Sequence, residues 1–248
     1  MTTQMRASAR EMRHMVGRYL HARSCPAYAV NAIRDAIMAA QAEGADAVTE
    51  MERVRDRYAG ARTSFDVRRD GDGIVLDGRG TPAILLAPAL IDELSLAAVD
   101  GVARVHVVGT PGVGIAAALG EYAAVRGVAF EIEPPAGDDA AEDAEGDAGD
   151  RAILAPRRIE RTPVRPAESA AGPAMRRILL EGYVMDADQF WRLFHESNEA
   201  LTPDSELSRR HAGSQLYDEN GDLIGEVSEE TYLHLRRDEN DPERAVLA

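Results

Sequence analysis

The chain has 248 residues, 45% of them hydrophobic but only 5% aromatic, and a formal net charge of −15 at pH 7. That length suits one large domain or a core with a small appendage, packed mainly by Ala, Val, Leu and Ile. So acidic a surface repels phosphate backbones and anionic lipid, which argues against nucleic-acid and membrane-surface partners.

From residue 5 to about 58, apolar residues recur at helical spacing. Met5, Ala9, Met12, Val16 and Tyr19 or Leu20 mark a first helix, which Gly17 and the "SCP" run at 24–26 weaken or end. Pro26 suits the first turn of a second helix, striped by Val30, Ile33, Ile37 and Ala40 and closed by Gly44. Val48, Met51, Val54 or Arg55, and Tyr58 suggest a third. These stripes predict a helical subdomain over residues 1–60.

Residues 61–133 read as an α/β core. "SFDVRR" and "GIVLDG" flank "DGDG", a hairpin turn. "AILLAPALIDELSLAAV" begins as a buried strand or an apolar helix, ends as a helix, and is closed by "DGVA". "VHVVGTPGVGIAAALGEYAAVRGVAFEIE", 105–133, then reads as strand, glycine loop, helix and second strand, a βαβ-like unit. The acidic run after Glu133 and the Pro/Arg-rich run behind it bury little apolar area and repel internally. They predict an unpaired linker over 134–174. Order resumes in 175–248 with a strand in "MRRILLEGYVMD" and a helix in "DADQFWRLFHESNEAL", capped by Asp186 or Asp188. A hairpin around Asn220-Gly221 and a final short helix follow. The predicted fold class is α/β or α+β, with a central mixed sheet. No run is apolar enough to be a signal core or a membrane span, since Asp92 and Glu93 interrupt Ala83–Val99, so the expected location is the cytoplasm.

Residue types exclude several chemistries. All 28 basic residues are arginine, which removes Schiff-base enzymes, lysine-bearing phosphate-loop NTPases and protein kinases in their usual forms. Cys25 is the sole cysteine, so no intrachain disulfide or cysteine-rich zinc site forms. It stands where a helix is expected to begin, a place that lowers a thiol pKa; the plainer reading is a small buried hydrophobe. His195 and Glu199 lie four apart but lack the second histidine of a zinc-protease pattern, and read as a surface ion pair. Asp218, Asn220, Asp222 and Glu229 mimic a calcium loop, yet Leu223 occupies the required glycine position. No metal is predicted.

Two segments carry candidate sites. In "GTPGVG", Gly109, Gly112 and Gly114 approximate a dinucleotide loop, with Glu131 or Glu133 at the spacing of a ribose-binding carboxylate. Pro111 replaces the middle glycine, so the loop leans towards a tight turn; NAD(P) or FAD enters only on the alternative reading. "LTPDSELSRRHAG" is the densest polar cluster. Ser205, Glu206, Ser208 and Arg209 are candidate ligand-binding residues, and His211 a candidate proton-transfer residue beside the arginine fork. A solvent-exposed helix start is the competing explanation.

The second segment resembles an uncharacterised bacterial domain-of-unknown-function family. Its members join a tryptophan-bearing C-terminal helix, here "FWRLF", to P-x-[ST]-E-x-S-R-x-x-x-G, matched by Pro203, Ser205, Glu206, Ser208, Arg209 and Gly213. The resemblance implies no activity, and implies that the middle region is not a dinucleotide fingerprint. The N-terminal helices also resemble the malate/L-lactate dehydrogenase family. That family's Ser-His-Gly motif is missing here, so its activity does not carry over. The expected function is the binding of an anionic, carboxylate-bearing small molecule, as a metabolic enzyme or an accessory subunit of one. The alternatives are an oxidoreductase using the Gly109–Gly114 loop and a non-catalytic interaction protein, with a homo- or hetero-oligomer as possible partner.

Overall fold

A computed structural model describes residues 3–133, 151–159, 172–201, 215–217 and 223–226. At the start of the chain, helical spacing extends to Met5, yet Gln4–Ala7 forms strand β1. Ser8 decides the boundary. Its hydroxyl accepts the Glu11 N–H while the Glu11 carboxylate accepts the Ser8 N–H, a capping box that starts α1 at Ala9 (Ala9–Ala22). The second helix also starts later than Pro26 implies, with α2 spanning Val30–Ala42 and α3 spanning Ala47–Arg53. A 3-10 turn over Arg55–Arg57 leads to Tyr58, which is fully buried and donates its hydroxyl to Met51 O at 3.0 Å.

The "DGDG" turn joins β2 (Asp66–Asp70) to β3 (Gly73–Asp77) in an antiparallel hairpin, with Gly71 at φ 60°. The apolar run beyond it is a single helix, α4 (Ala83–Asp100), closed by Gly101 in the left-handed region. Ala83 to Ala87 are all buried, as are Leu90, Ile91 and Leu94. The N-terminal half of α4 is buried on nearly every side, between the sheet and α2, while Asp92, Leu96 and Val99 of its second half reach solvent. It delivers the chain to β4 (Val105–Val108), parallel to β3, so β3–α4–β4 is a true βαβ unit.

After β4 the expected helix is instead a 3-10 stretch over Val113–Ala118 followed by the short α5 (Gly120–Ala124); β5 is Val128–Glu133. The expectation of an unpaired linker fails at Ala152–Arg158. This is strand β6, inserted between β4 and β5 and antiparallel to both, giving the order β2-β3-β4-β6-β5. Leu154, opposite both Val105 and Ile132, is fully buried. Pro156 is tolerated because it lies past the last β4 pair, where only the β5 side of the strand is bonded.

"MRRILLEGYVMD", read as one strand, is helix then strand: α6 (Pro173–Glu181) and β7 (Tyr183–Asp186). Pro173 opens the helix, and Gly182 at φ 78° breaks it so that β7 can pair antiparallel with β1. Carboxylates from neighbouring elements cap these short helices. Glu43 accepts the Glu121 N–H at 2.6 Å, and Glu121 in turn accepts the N–H groups of Ala174 (2.6 Å) and Met175 (3.2 Å). α7 (Ala187–Ser197) is capped by Asp186, the first of the two candidates. It packs on α1 through Phe190 and Leu193.

The chain forms two compact units, Met1–Ala200 and Leu201–Ala248. In the first, mixed helices and strands share one core under the sheet face of Leu76, Val105, Val107 and Leu154. In the second, β8 (Gln215–Tyr217) pairs antiparallel with β9 (Leu223–Glu226), the strands expected around Asn220-Gly221. The final helix expected near Tyr232 lies outside the described residues. Among the described residues no helix is long and apolar enough to cross a membrane.

Candidate functional site

In an open α/β sheet, ligands bind beyond the carboxyl ends of the parallel strands. Here those ends are Asp77 of β3 and Val108 of β4, which pair with each other. Each strand runs into the same tripeptide, Gly80-Thr81-Pro82 after β3 and Gly109-Thr110-Pro111 after β4. The two loops are stitched together by backbone bonds. Gly78 donates to Val108 O (3.0 Å), Gly80 to Gly109 O (2.7 Å), and Ala83, the first residue of α4, to Pro111 O (2.8 Å). Thr110 is buried between them, its hydroxyl donating to Val108 O at 2.9 Å.

Four residues of these loops are left-handed: Arg79 (φ 53°), Gly80 (76°), Gly109 (57°) and Gly112 (76°). Arg79 is the costly one, because its Cβ resists that conformation. Asp77 holds it there by accepting the Arg79 N–H at 2.8 Å, and the Arg79 side chain reaches Asp66 (2.8 Å) and Asp77 (3.2 Å). Backbone strain of this kind persists where the surroundings over-determine it, and it clusters at binding sites.

The surrounding charge comes from α3 and the 3-10 turn behind it. Arg57 donates to Gly80 O at 2.7 Å. Arg53 grips Glu50 with two bonds of 2.7 Å, and Glu50 Oε1 stands 3.1 Å from where a Cβ on Gly112 would lie. Hydrogen bonds from Arg79 and Arg62 hold the Asp66 carboxyl below its ordinary range. The loops therefore meet the start of an 18-residue helix among Arg53, Arg57 and Arg79. Arg53 and Arg79 are paired with acidic neighbours, whereas Arg57 spends only one N–H on Gly80 O, and a guanidinium fork of that kind suits a carboxylate.

Of the residues singled out by the glycine pattern, Gly109 and Gly112 belong to this site, and Gly114 faces open space in the 3-10 stretch. Glu131 does not join them. It pairs with Ala155 on β6, whose neighbour Leu154 pairs with Val105, so Glu131 is level with Arg104 at the start of β4. The glycine loop begins after Val108, roughly 16 Å further along the strand direction. Glu133 is also distant, paired with Arg104 at 3.1 Å. The spacing misleads because β6 separates two strands that look adjacent in sequence. Ser205, Glu206, Ser208, Arg209 and His211 lie outside the described residues, as do Pro203 and Gly213.

The remaining candidates resolve locally. Glu199 pairs with Arg23 (3.3 Å), as does Glu196 (2.6 Å), while His195 lies tilted against Trp191 and edge-on to Phe194; the His195–Glu199 pair is not made. Cys25 is buried ahead of α2 rather than at its N-terminus, and burial pushes its thiol up to about 11. At pH 8 that leaves about two orders of magnitude less thiolate than an ordinary cysteine. Alkylation of Cys25 by iodoacetamide should be slower in the native protein by at least that factor and recover in denaturant; equal rates would refute its burial. Among the described residues no group of three or more His, Cys, Asp or Glu could hold a metal ion. Comparison of the chain with protein-family models, curated proteins and solved structures finds no match.

The signal that sequence reading passed over was the repeated Gly-Thr-Pro, in "GRGTPA" and "VGTPGV". Its two copies lie 29 residues apart, one helix and one strand from each other, the period of a βαβ unit.

Proposed function

We propose that this is a cytoplasmic small-molecule-binding protein that takes an anionic, carboxylate-bearing ligand at the carboxyl ends of β3 and β4. On this reading it serves small-molecule metabolism as an enzyme or an accessory subunit of one. The observation that carries the reading is the strained Arg79 within two interlocked Gly-Thr-Pro loops at the head of α4. A single carboxylate needs one guanidinium fork, and Arg57, which spends one N–H on Gly80 O, keeps donors for it. A pyrophosphate is less well served, because Asp77 stands against Gly109 and Glu50 against Gly112, where its oxygens would have to come.

Calorimetric titration of the full chain with short mono- and dicarboxylates, inorganic phosphate and NAD tests the reading. A carboxylate should bind saturably. Arg57→Lys and Arg79→Asn should each weaken that binding about tenfold or more, since an ammonium cannot reproduce the fork and asparagine keeps only the left-handed backbone. If no carboxylate binds, the reading fails. NAD binding that is abolished by Gly112→Val would favour the oxidoreductase instead. The polar segment from Pro203 to Gly213, with Arg209 and His211, is the rival candidate for the carboxylate site. Loss of binding in Arg209→Lys or His211→Ala, with the Arg57 and Arg79 variants unaffected, would move the site there.

A further inference from the structure

The two Gly-Thr-Pro copies differ in what their threonine hydroxyls do. Thr110 Oγ1 donates to Val108 O, two residues back, at 2.9 Å. The matching acceptor for Thr81 is Arg79 O, and that bond is not made; Arg79 is left-handed where Val108 is strand. Thr81 closes a turn instead, its N–H donating to Gly78 O at 2.9 Å around Arg79 and Gly80. The residue is only 7% exposed, and its hydroxyl has no hydrogen-bond partner among the described residues. The oxygen is nevertheless not sealed, so it meets the surface with its proton and lone pairs unspent. So deeply set a hydroxyl without a protein partner is uncommon in a folded chain.

Arg57 stands beside it. The Gly80 carbonyl that Arg57 grips at 2.7 Å is bonded to the Thr81 nitrogen, so the guanidinium lies within one peptide unit of Thr81. Arg57 also carries the charge left over around these loops. Arg53 is paired with Glu50, Arg62 and Arg79 with Asp66 and Asp77, and Asp56 stands exposed beside Arg55. Arg57 itself pairs with no carboxylate among the described residues. We propose that Thr81 is the second anchor of the carboxylate site and that the site selects a monoanion, an inference that rests on the carboxylate reading of these loops. The Arg57 fork supplies the charge, and the Thr81 hydroxyl donates to the same carboxylate. A second negative charge on the ligand would stand near Asp77 and Glu50, whose guanidinium partners are already engaged, so a dianion is repelled.

The experiment is calorimetric titration of the full chain with propionate or malonate, at matched ionic strength and a pH where both acids are fully ionised. Propionate should bind saturably and malonate more weakly. Thr81→Val should weaken propionate about tenfold, the loss of one hydrogen bond to a charged group, and Thr81→Ser should keep the affinity. Thermal unfolding of the unliganded variants separates this from a structural role. Thr81→Val should leave Tm unchanged, whereas Thr110→Val, which loses the bond to Val108 O, should lower it. If the parent chain binds neither acid, the carboxylate reading fails and this inference with it. If propionate binding depends on Arg57 but survives undiminished in Thr81→Val, or if malonate binds more tightly, the carboxylate site stands and the inference falls. A Tm loss in Thr81→Val as large as that in Thr110→Val also overturns it, because the hydroxyl is then spent in the fold.

Discussion

Leu154→Ala should cost the protein about 2–5 kcal/mol, as large as any single truncation in its core. Leu154 is fully buried at the crossing of β4, β6 and β5, paired to Val105 on one side and Ile132 on the other. Alanine there leaves a cavity under α4 that a close-packed interior cannot collapse. Chemical denaturation at equilibrium measures the loss, and Ile153→Ala, half-buried on the opposite face, serves as the comparison. If Leu154→Ala stayed within about 0.5 kcal/mol of the parent, as surface changes do, β6 would not be the inner strand of the sheet.

The second large effect is at Gly78. A Cβ there would collide with Thr110 Oγ1 and come within 3.0 Å of Gly109 O. Thr110 is held in a buried bond and Gly109 O already accepts from Gly80, so neither yields cheaply. Gly78→Ala should therefore destabilise by about 1–3 kcal/mol, the usual cost of overpacking, and should part the two Gly-Thr-Pro loops. Gly114, with open space around it and no left-handed backbone, is the matched control. Gly114→Ala should be neutral or slightly stabilising, because alanine loses less freedom on folding. Denaturation of the pair reads the contrast directly, and equal costs at both positions would refute the close approach of the loops.

What could be read in advance follows from which forces are local. The β2–β3 hairpin was legible because "DGDG" states its own turn, and α2 because Val30, Ile33, Ile37 and Ala40 repeat on one face. β6 was hidden because only Leu154 of its seven residues is fully buried, between two charged stretches. α6 misled by composition: Ile178, Leu179 and Leu180 look like a buried strand, yet Leu180 is 89% exposed and only Ile178 faces the core. In the candidate site, the glycines were visible and the convergence was not. Nothing in an arginine announces a left-handed φ at position 79, and Arg57 reaches Gly80 from 23 residues away. The misplacement of Glu131 has the same origin, since no local pattern reports strand order.

The pairing of β1 with β7 also governs how the molecule is made. Gln4 and Asp186 are register partners, so β1, once synthesised, waits for nearly the last element of its unit. At ~5–20 residues per second, that wait is about 10–40 s of synthesis. Meanwhile β5 also waits, because β6, its neighbour in the sheet among the described residues, follows it in the chain. β1 thus spends most of the unit's synthesis with a bare backbone edge, and β5 only about 1–4 s, the condition that favours pairing with the wrong chain. Slow, chaperone-sensitive maturation is the expected cost of joining the two ends of the unit, and a nascent chain truncated before Tyr183 should remain open to protease at β1.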